Sequence, residues 1–191
     1  MVKKMKLIRE LSDLKLEKSA VTIGNFDGVH LGHQRLIKRV VSEARSSGYT
    51  SVVLTFDKQP KNFINPRKET RIITPLHVKI EKIKTLNVDI LIVINFSQHF
   101  ASLSPEDFIH NIICDQLGAK LVIVGPDFRF GKNRAGNVDA LRLLGKKFDF
   151  TLKIIPFLRI EEVKVSSTEI RHLLYKGEDK IASMMLGEAA I

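Results

Sequence analysis

Ala20–Gln34 reads AVTIGNFDGVHLGHQ, and the change of pattern inside it decides the fold. Ala20–Gly24 is a short β-branched run, the signature of a strand. Leu31–Ser47 then carries Leu36, Ile37, Val40, Val41 and Ala44 at helical spacing, and Gly48 supplies a C-terminal stop. The alternation continues outward. Thr50–Phe56 (TSVVLTF), Val88–Ile94, Ala119–Val124 (AKLVIV) and Thr151–Pro156 predict four more strands. Thr74-Pro75, an N-cap and N1 pair, predicts a helix to about Asn87. Ser104-Pro105-Glu106-Asp107 opens another to about Gln116, and a third runs from about Asn137 to Phe148. Ser166–Lys176 is a further capped helix, and the last 15 residues predict a short one. Residues 57–73, with Pro60 and Pro66, show no period and predict a long loop, a size that is uncommon unless functional. Strands without polar alternation, separated by helices, specify an α/β fold: a doubly wound parallel sheet covered on both faces. Such sheets bind ligands beyond the carboxyl ends of their strands, where the chain order reverses. The loops after Gly24, Phe56, Ile94, Val124 and Pro156 are therefore the candidates.

The chain has 191 residues, the length of a single domain at roughly 100–200 residues each. With 44% hydrophobic and 27% charged residues it is neither a disordered chain nor a fibre nor a disulfide scaffold. Its longest apolar run, Ile90–Ile94, falls far short of the roughly 20 residues of a membrane span. MVKKMKLIREL at the N-terminus lacks the apolar stretch of a secretory signal. The single cysteine, Cys114, has no internal disulfide partner and is expected to be buried and inert in a helix. A cytoplasmic location is the expectation that follows. Thirty-one Lys and Arg against 21 Asp and Glu give a net charge of +10. The excess favours anionic partners, namely nucleic acid, an acidic membrane surface or phosphorylated small molecules, or it serves only solubility. Residues 58–84 hold eight basic residues against two acids but only one aromatic, Phe63. Readers of single strands interleave aromatics with their cations, so nucleic-acid binding gains little support.

His30 and His33 are three apart at the start of the first long helix, so both rings project from one face. Gly32 between them removes a side chain where a ligand can approach the backbone. The free N–H groups and the dipole of a helix N-terminus favour an anion, and two imidazoles add donors to phosphate oxygens. A zinc site with Asp27 as third ligand is the rival reading, and it lacks further Cys or His at ligand spacing. No GxxxxGK[ST] loop is present.

GNFDGVHLGHQ, Gly24 to Gln34, resembles the HxGH signature of the nucleotidyltransferase superfamily, which has a Rossmann-like sheet related to that of class I aminoacyl-tRNA synthetases. Phosphopantetheine, nicotinate mononucleotide and glycerol-3-phosphate transferases carry similar loops. With Gly28 where many relatives have Pro, the stretch is most similar to the flavin branch, the FAD synthetase domain of prokaryotic riboflavin kinase/FMN adenylyltransferases. VGPDFRFGKNRAGN (Val124–Asn137), FSQHFASLSPEDFI (Phe96–Ile109) and VSSTEIR (Val165–Arg171) resemble further motifs of that branch, in order. The similarity runs from about Ala20 to Gly187. One segment departs: the family's T-F-x-P-H-P stands here as TFDKQP, Thr55–Pro60, with Lys58 and Gln59 in place of Pro and His. Lys58 then either brings charge near a phosphate or is a tolerated loop change.

The resemblance implies the reaction ATP + FMN → FAD + pyrophosphate. It places His30, His33 and Arg171 on the ATP phosphates as catalytic residues. Gly24, Asn25, Phe26, Asp27 and Gly32 form the ATP elbow with them, Asp27 orienting the phosphates or a metal-bound water. Ser167 and Thr168 hold the leaving phosphates with Arg171, although S-S-T at a helix start also serves as plain capping. Asp127, Phe128, Arg129 and Phe130 are implied at FMN, with Phe63 and Phe108 as weaker stacking candidates; each phenylalanine equally suits ordinary packing. Mg²⁺ is expected to arrive with ATP rather than in a protein-built site. The expected partners are these small molecules, with no membrane. Another HxGH transferase, or less directly a basic nucleic-acid-binding module, is the alternative. No P-T-A-N motif of a riboflavin kinase barrel occurs, so these residues are expected to convert FMN to FAD without phosphorylating riboflavin.

Overall fold

A computed structural model describes residues 4–12, 14–64 and 70–188. In chain order its elements are β1 (Lys6–Ile8), β2 (Ser19–Ile23), α1 (Leu31–Ser47), β3 (Thr50–Phe56), α2 (Pro60–Ile64), α3 (Leu76–Lys84), β4 (Ile90–Ile94) and α4 (Gln98–Ser102). There follow α5 (Pro105–Asp107), which runs on as a π-helix over Phe108–Gln116, then β5 (Ala119–Val124), α6 (Val138–Lys147), β6 (Thr151–Ile154), β7 (Arg159–Ile160), β8 (Val163–Lys164), α7 (Ser167–Lys176) and α8 (Asp179–Leu186).

Every residue of β2 and β4 is buried, as strands covered on both faces require. Six strands form one parallel sheet in the order β1-β4-β3-β2-β5-β6, with Val21 opposite Val52 on one side and Val122 on the other. One face packs Val52, Leu54 and Ile92 against Ile109 and Ile113 of the π-helix and Leu141 of α6. The other packs Val53, Leu91 and Ile123 against Ile37 and Val40 of α1 and Ile83 of α3. Burying such side chains stabilises by roughly 1.5–3 kcal/mol each. The sheet is therefore doubly wound, and the chain order reverses between β2 and β5. A third apolar cluster joins Ile170 and Leu173 of α7 to Met185 and Leu186 of α8, and docks on Leu31 at the start of α1. That docking fixes where α7 begins. Among the described residues no helix is long and apolar enough to cross a membrane.

The structure differs from the sequence reading in several places. β2 is shifted one residue earlier, β4 starts at Ile90 and β6 ends at Ile154. The long loop of 57–73 contains the short helix α2; residues 65–69 lie outside the described residues. Thr74 does not cap α3: Pro75 is the N-cap residue and no side chain caps it, while the backbone N–H of Thr74 donates to the carboxylate of Asp27. The expected helix to Gln116 winds as a π-helix, which brings Ile112 and Leu117, five apart and both buried, onto one face; the Leu117 N–H bonds the Ile112 carbonyl. Three strands were not foreseen: β1, at an edge with two of three residues exposed, and the antiparallel pair β7–β8. The final helix covers Asp179–Leu186 of the last 15 residues, and 189–191 lie outside the described residues. Cys114 is half-buried rather than buried, and burial pushes its thiol up to about 11, which keeps it unreactive.

Candidate active site

A cavity of about 420 Å³ opens at the carboxyl ends of the strands, within the range of roughly 300–1,000 Å³ usual for small-molecule sites. Asn25, Gln59, Phe96, Asp127 and Phe157 line it, one from each of the five loops picked out by the strand pattern. It lies at the switch between β2 and β5.

The loop from β2 to α1 is strained. Phe26 (φ 49°) and Val29 (φ 44°) join Gly28 (φ 88°) in the left-handed region, a conformation that costs a non-glycine residue of order 1–3 kcal/mol. Such strain persists only where the surroundings fix it, and here both side chains are buried. The turn delivers His30 to the N-cap of α1, where its Nδ1 accepts from the His33 N–H at 3.3 Å. In the neutral ring the proton is then on Nε2. His33 stacks on His30 with centroids 3.6 Å apart, and meets the Phe26 ring edge-on at 5.1 Å. A Cβ at Gly32 would sit 3.2 Å from the His30 ring, so glycine is what lets the imidazoles and the helix start share this space. The His33 Nδ1 is buried with no hydrogen-bond partner among the described residues.

Both imidazoles are neutral at pH 7. Burial lowers His30 to about 4, with Lys164 and Arg171 adding to the effect against Asp27. Burial, then His30 and Lys79, hold His33 well below its ordinary value. A lowered histidine pKa means that the unfolded chain takes up a proton first as pH falls below about 6.5, so stability declines from there towards the folded pKa. At about 1.4 kcal/mol per pH unit, His30 alone removes roughly 2 kcal/mol by pH 5. Asparagine keeps an N-cap acceptor without the titration. His30→Asn should therefore lose less stability than the unaltered chain between pH 7 and pH 5 in urea titrations; equal losses would contradict the buried neutral state.

Asp27, buried beneath this loop, ties four segments together. Its carboxylate accepts from the Ile73 N–H (3.1 Å), the Thr74 N–H (3.1 Å) and Gln59 Nε2 (2.6 Å), and pairs with the guanidinium of Arg171. Gln59 Oε1 accepts from Asn25 Nδ2 at 2.5 Å. Gln59 is thus no passive substitution: its amide bridges the two polar residues of the loop, while Lys58 is exposed. Arg171 also donates from Nε to the Arg71 carbonyl (2.7 Å) and from Nη1 to the Ser167 carbonyl (3.2 Å). Ser166, not Ser167, caps α7, and the Ser167 hydroxyl donates to the Asp27 carbonyl at 2.9 Å. Thr168 is exposed at the cavity edge. Two helix N-termini, those of α1 and α7, consequently flank one space.

The far wall is aromatic. Phe130 is buried and stacks with half-buried Phe128 at 5.4 Å and 15°. Phe108, buried, touches Phe130 on one side and Phe100 on the other. Phe63 packs on Phe96, which also meets Phe56 and Phe100. Phe56, Phe96 and Phe100 line the cavity and were missed as site residues. Arg129 is exposed at the rim, and Asp127 there pairs with Lys164 at 3.0 Å. Lys164, on β8, lies 3.4 Å from the centre of the Phe157 ring. No cluster of three or more His, Cys, Asp or Glu suited to a metal occurs among the described residues.

Residues 12–169 match the family model described as FAD synthetase. Bifunctional riboflavin kinase/FMN adenylyltransferase of Buchnera aphidicola subsp. Schizaphis graminum is 39% identical over 186 residues, covering 96% of this chain and 60% of that protein. The enzyme of that name from Escherichia coli strain K12 is 33% identical, covering 96% of this chain and 59% of its own length. The chain therefore spans about 60% of these relatives. A crystal structure from Streptococcus pneumoniae, described as a macrolide-efflux protein, superposes with a TM-score of 0.82 at 28% identity, over 100% of this chain and 61% of that one.

Proposed function

Because the chain belongs to the FAD synthetase family, we propose that it is an FMN adenylyltransferase, joining AMP from ATP to FMN with release of pyrophosphate. The observation that carries the reading is a single cavity with stacked neutral histidines at one end and a wall of phenylalanines at the other. The first end suits phosphates and the second a flat ring system. Residues 1–191 are read as one nucleotidyltransferase domain acting in the cytoplasm, where ATP is at hand. ATP brings its Mg²⁺ on the phosphates; the Asp27 carboxylate is already engaged by four donors.

A phosphate oxygen of FMN attacks the α-phosphorus of ATP, the bond to the β-phosphate bridging oxygen breaks, and pyrophosphate leaves with the electron pair. The protein contributes position and charge. Neutral His30 donates from Nε2, and His33, stacked on it at the cavity wall, adds a second ring as donor. Arg171 keeps two of its five N–H groups free for phosphate oxygens while Asp27 and two carbonyls hold its plane. Phe128 and Phe130 form the ring-binding wall. Phosphate beside the imidazoles raises their proton affinity, so ATP is expected to bind more tightly at pH 6 than at pH 8.

Incubation with ATP, Mg²⁺ and FMN, followed by chromatography of the flavins, tests the proposal. FAD and pyrophosphate in equal amounts are expected. Folded protein that leaves FMN untouched would overturn it.

A further inference from the structure

Lys79 belongs to the apolar stripe of α3, a turn from Leu76 and from buried Ile83, and is itself only 5% exposed. Its Nζ donates to the carbonyl oxygens of Asn25 (3.1 Å) and Phe56 (2.9 Å) and to the Thr55 hydroxyl (3.3 Å). The Thr55 hydroxyl donates in turn to the Asn25 carbonyl at 3.1 Å. All three ammonium protons thus end on neutral oxygens, two of them in the first residues beyond β2 and at the end of β3. Burying an ammonium on neutral acceptors alone is an expensive way to join two strand ends, and apolar packing would serve stability as well or better. The charge must therefore answer to something else.

Geometry identifies what. In a trans peptide the C=O and N–H point in opposite directions. Drawing the Asn25 carbonyl down onto Lys79 turns the Phe26 N–H the other way, and that N–H finds no partner among the described residues. The ammonium also lies near enough to His33 to help hold that ring neutral. Resting on the FMN adenylyltransferase reading, we propose that Lys79 is a positioning residue for adenylyl transfer. It fixes the Asn25–Phe26 peptide so that its N–H meets the nucleotide phosphates, and sets a positive charge beneath them at neutral pH.

The titratable groups facing Lys79 are the carboxylates of Asp27 from the β2–α1 loop and Asp57 after β3, and the neutral ring of His33 on α1. Burial brings its pKa down to about 8, against the opposing pull of the two aspartates. FAD formation should then fall as pH rises through 8, when the ammonium loses its charge and one donor. Lys79→Met should reduce kcat roughly tenfold to a hundredfold, the scale of a misplaced catalytic group, with KM for FMN within about threefold. The variant's remaining activity should show no decline centred near pH 8, and the loss of kcat should persist at temperatures well below its unfolding transition. Thr55→Val removes one acceptor of the ammonium and should move the alkaline decline to lower pH. Full activity in Lys79→Met, or the same alkaline decline in it, would overturn the proposal. If Lys79→Met fails to fold, an unmoved decline in Thr55→Val would do so. An unaltered chain that makes no FAD at any pH would instead refute the activity itself.

Discussion

His33→Ala should lower the turnover of FAD formation by roughly 10²–10³, the usual loss for one donor to a transition state, while the protein still folds. The reason is the state of its ring. The Nδ1 has no partner among the described residues, so no bond within the fold depends on it. What the fold would lose is one stacking contact with His30 and one edge contact with Phe26, and it gains relief from an unsatisfied polar atom. Stability should therefore change by no more than about 1–2 kcal/mol. The two readouts separate the roles. A turnover within threefold of the unaltered chain would remove His33 from the chemistry, whereas a large loss of stability would make it a packing residue. His30→Ala should show the same kinetic loss together with a weakened start of α1, because it also removes the N-cap acceptor.

Asp27→Ala should be the most destabilising single change at the site. The carboxylate is buried and serves two backbone N–H groups, the Gln59 amide and the Arg171 guanidinium. Removing one partner of a buried ion pair costs roughly 3–5 kcal/mol, since the other charge stays buried and unpaired. Activity should vanish with it, because the same side chain holds Gln59 against Asn25 and seats Arg171 at the cavity. Denaturant unfolding measures the first effect, and FAD formation at a temperature where the variant is folded measures the second. A loss below about 1 kcal/mol would mean that water replaces the carboxylate without penalty. Asp27→Asn, which keeps the shape and surrenders the charge, should fall between.

The strand and helix alternation was legible because fully buried strands leave long β-branched runs, and the motif loops followed from the topology. β1 was not: three residues with two exposed at a sheet edge carry no period. The two-residue strands β7 and β8 are too short to leave a pattern, although one of them carries Lys164 to the cavity rim. The histidine pair and Arg171 were found by spacing and likeness, and the structure brings them to one cavity. Gln59 stands out in the sequence only as a departure from a pattern, since nothing in TFDKQP says which polar residue turns inward. Lys79 enters the sequence pattern only as one charge among many. A signal for it existed: it occupies the position between Leu76 and Ile83 on the stripe that otherwise holds apolar residues, and a lysine there must either disrupt the face or find acceptors. The π-helix left none, because Ser104-Pro105-Glu106-Asp107 marks only where a helix begins and not the step of its hydrogen bonds.

The strand order also governs how the protein is made. β2, the strand that carries the histidine loop, takes β5 as a neighbour, and Ser19 is paired with Ala119 about a hundred residues later. Translation at roughly 5–20 residues per second separates the two by about 5–20 s. Throughout that interval β2 has at most one partner, β3, and its other edge, the buried SAVTI backbone, stands open. The nascent chain thus spends seconds with its future active-site strand as a template for any passing strand. Loop closure over such a distance is also entropically costly, which makes completion of the sheet centre a late step of folding.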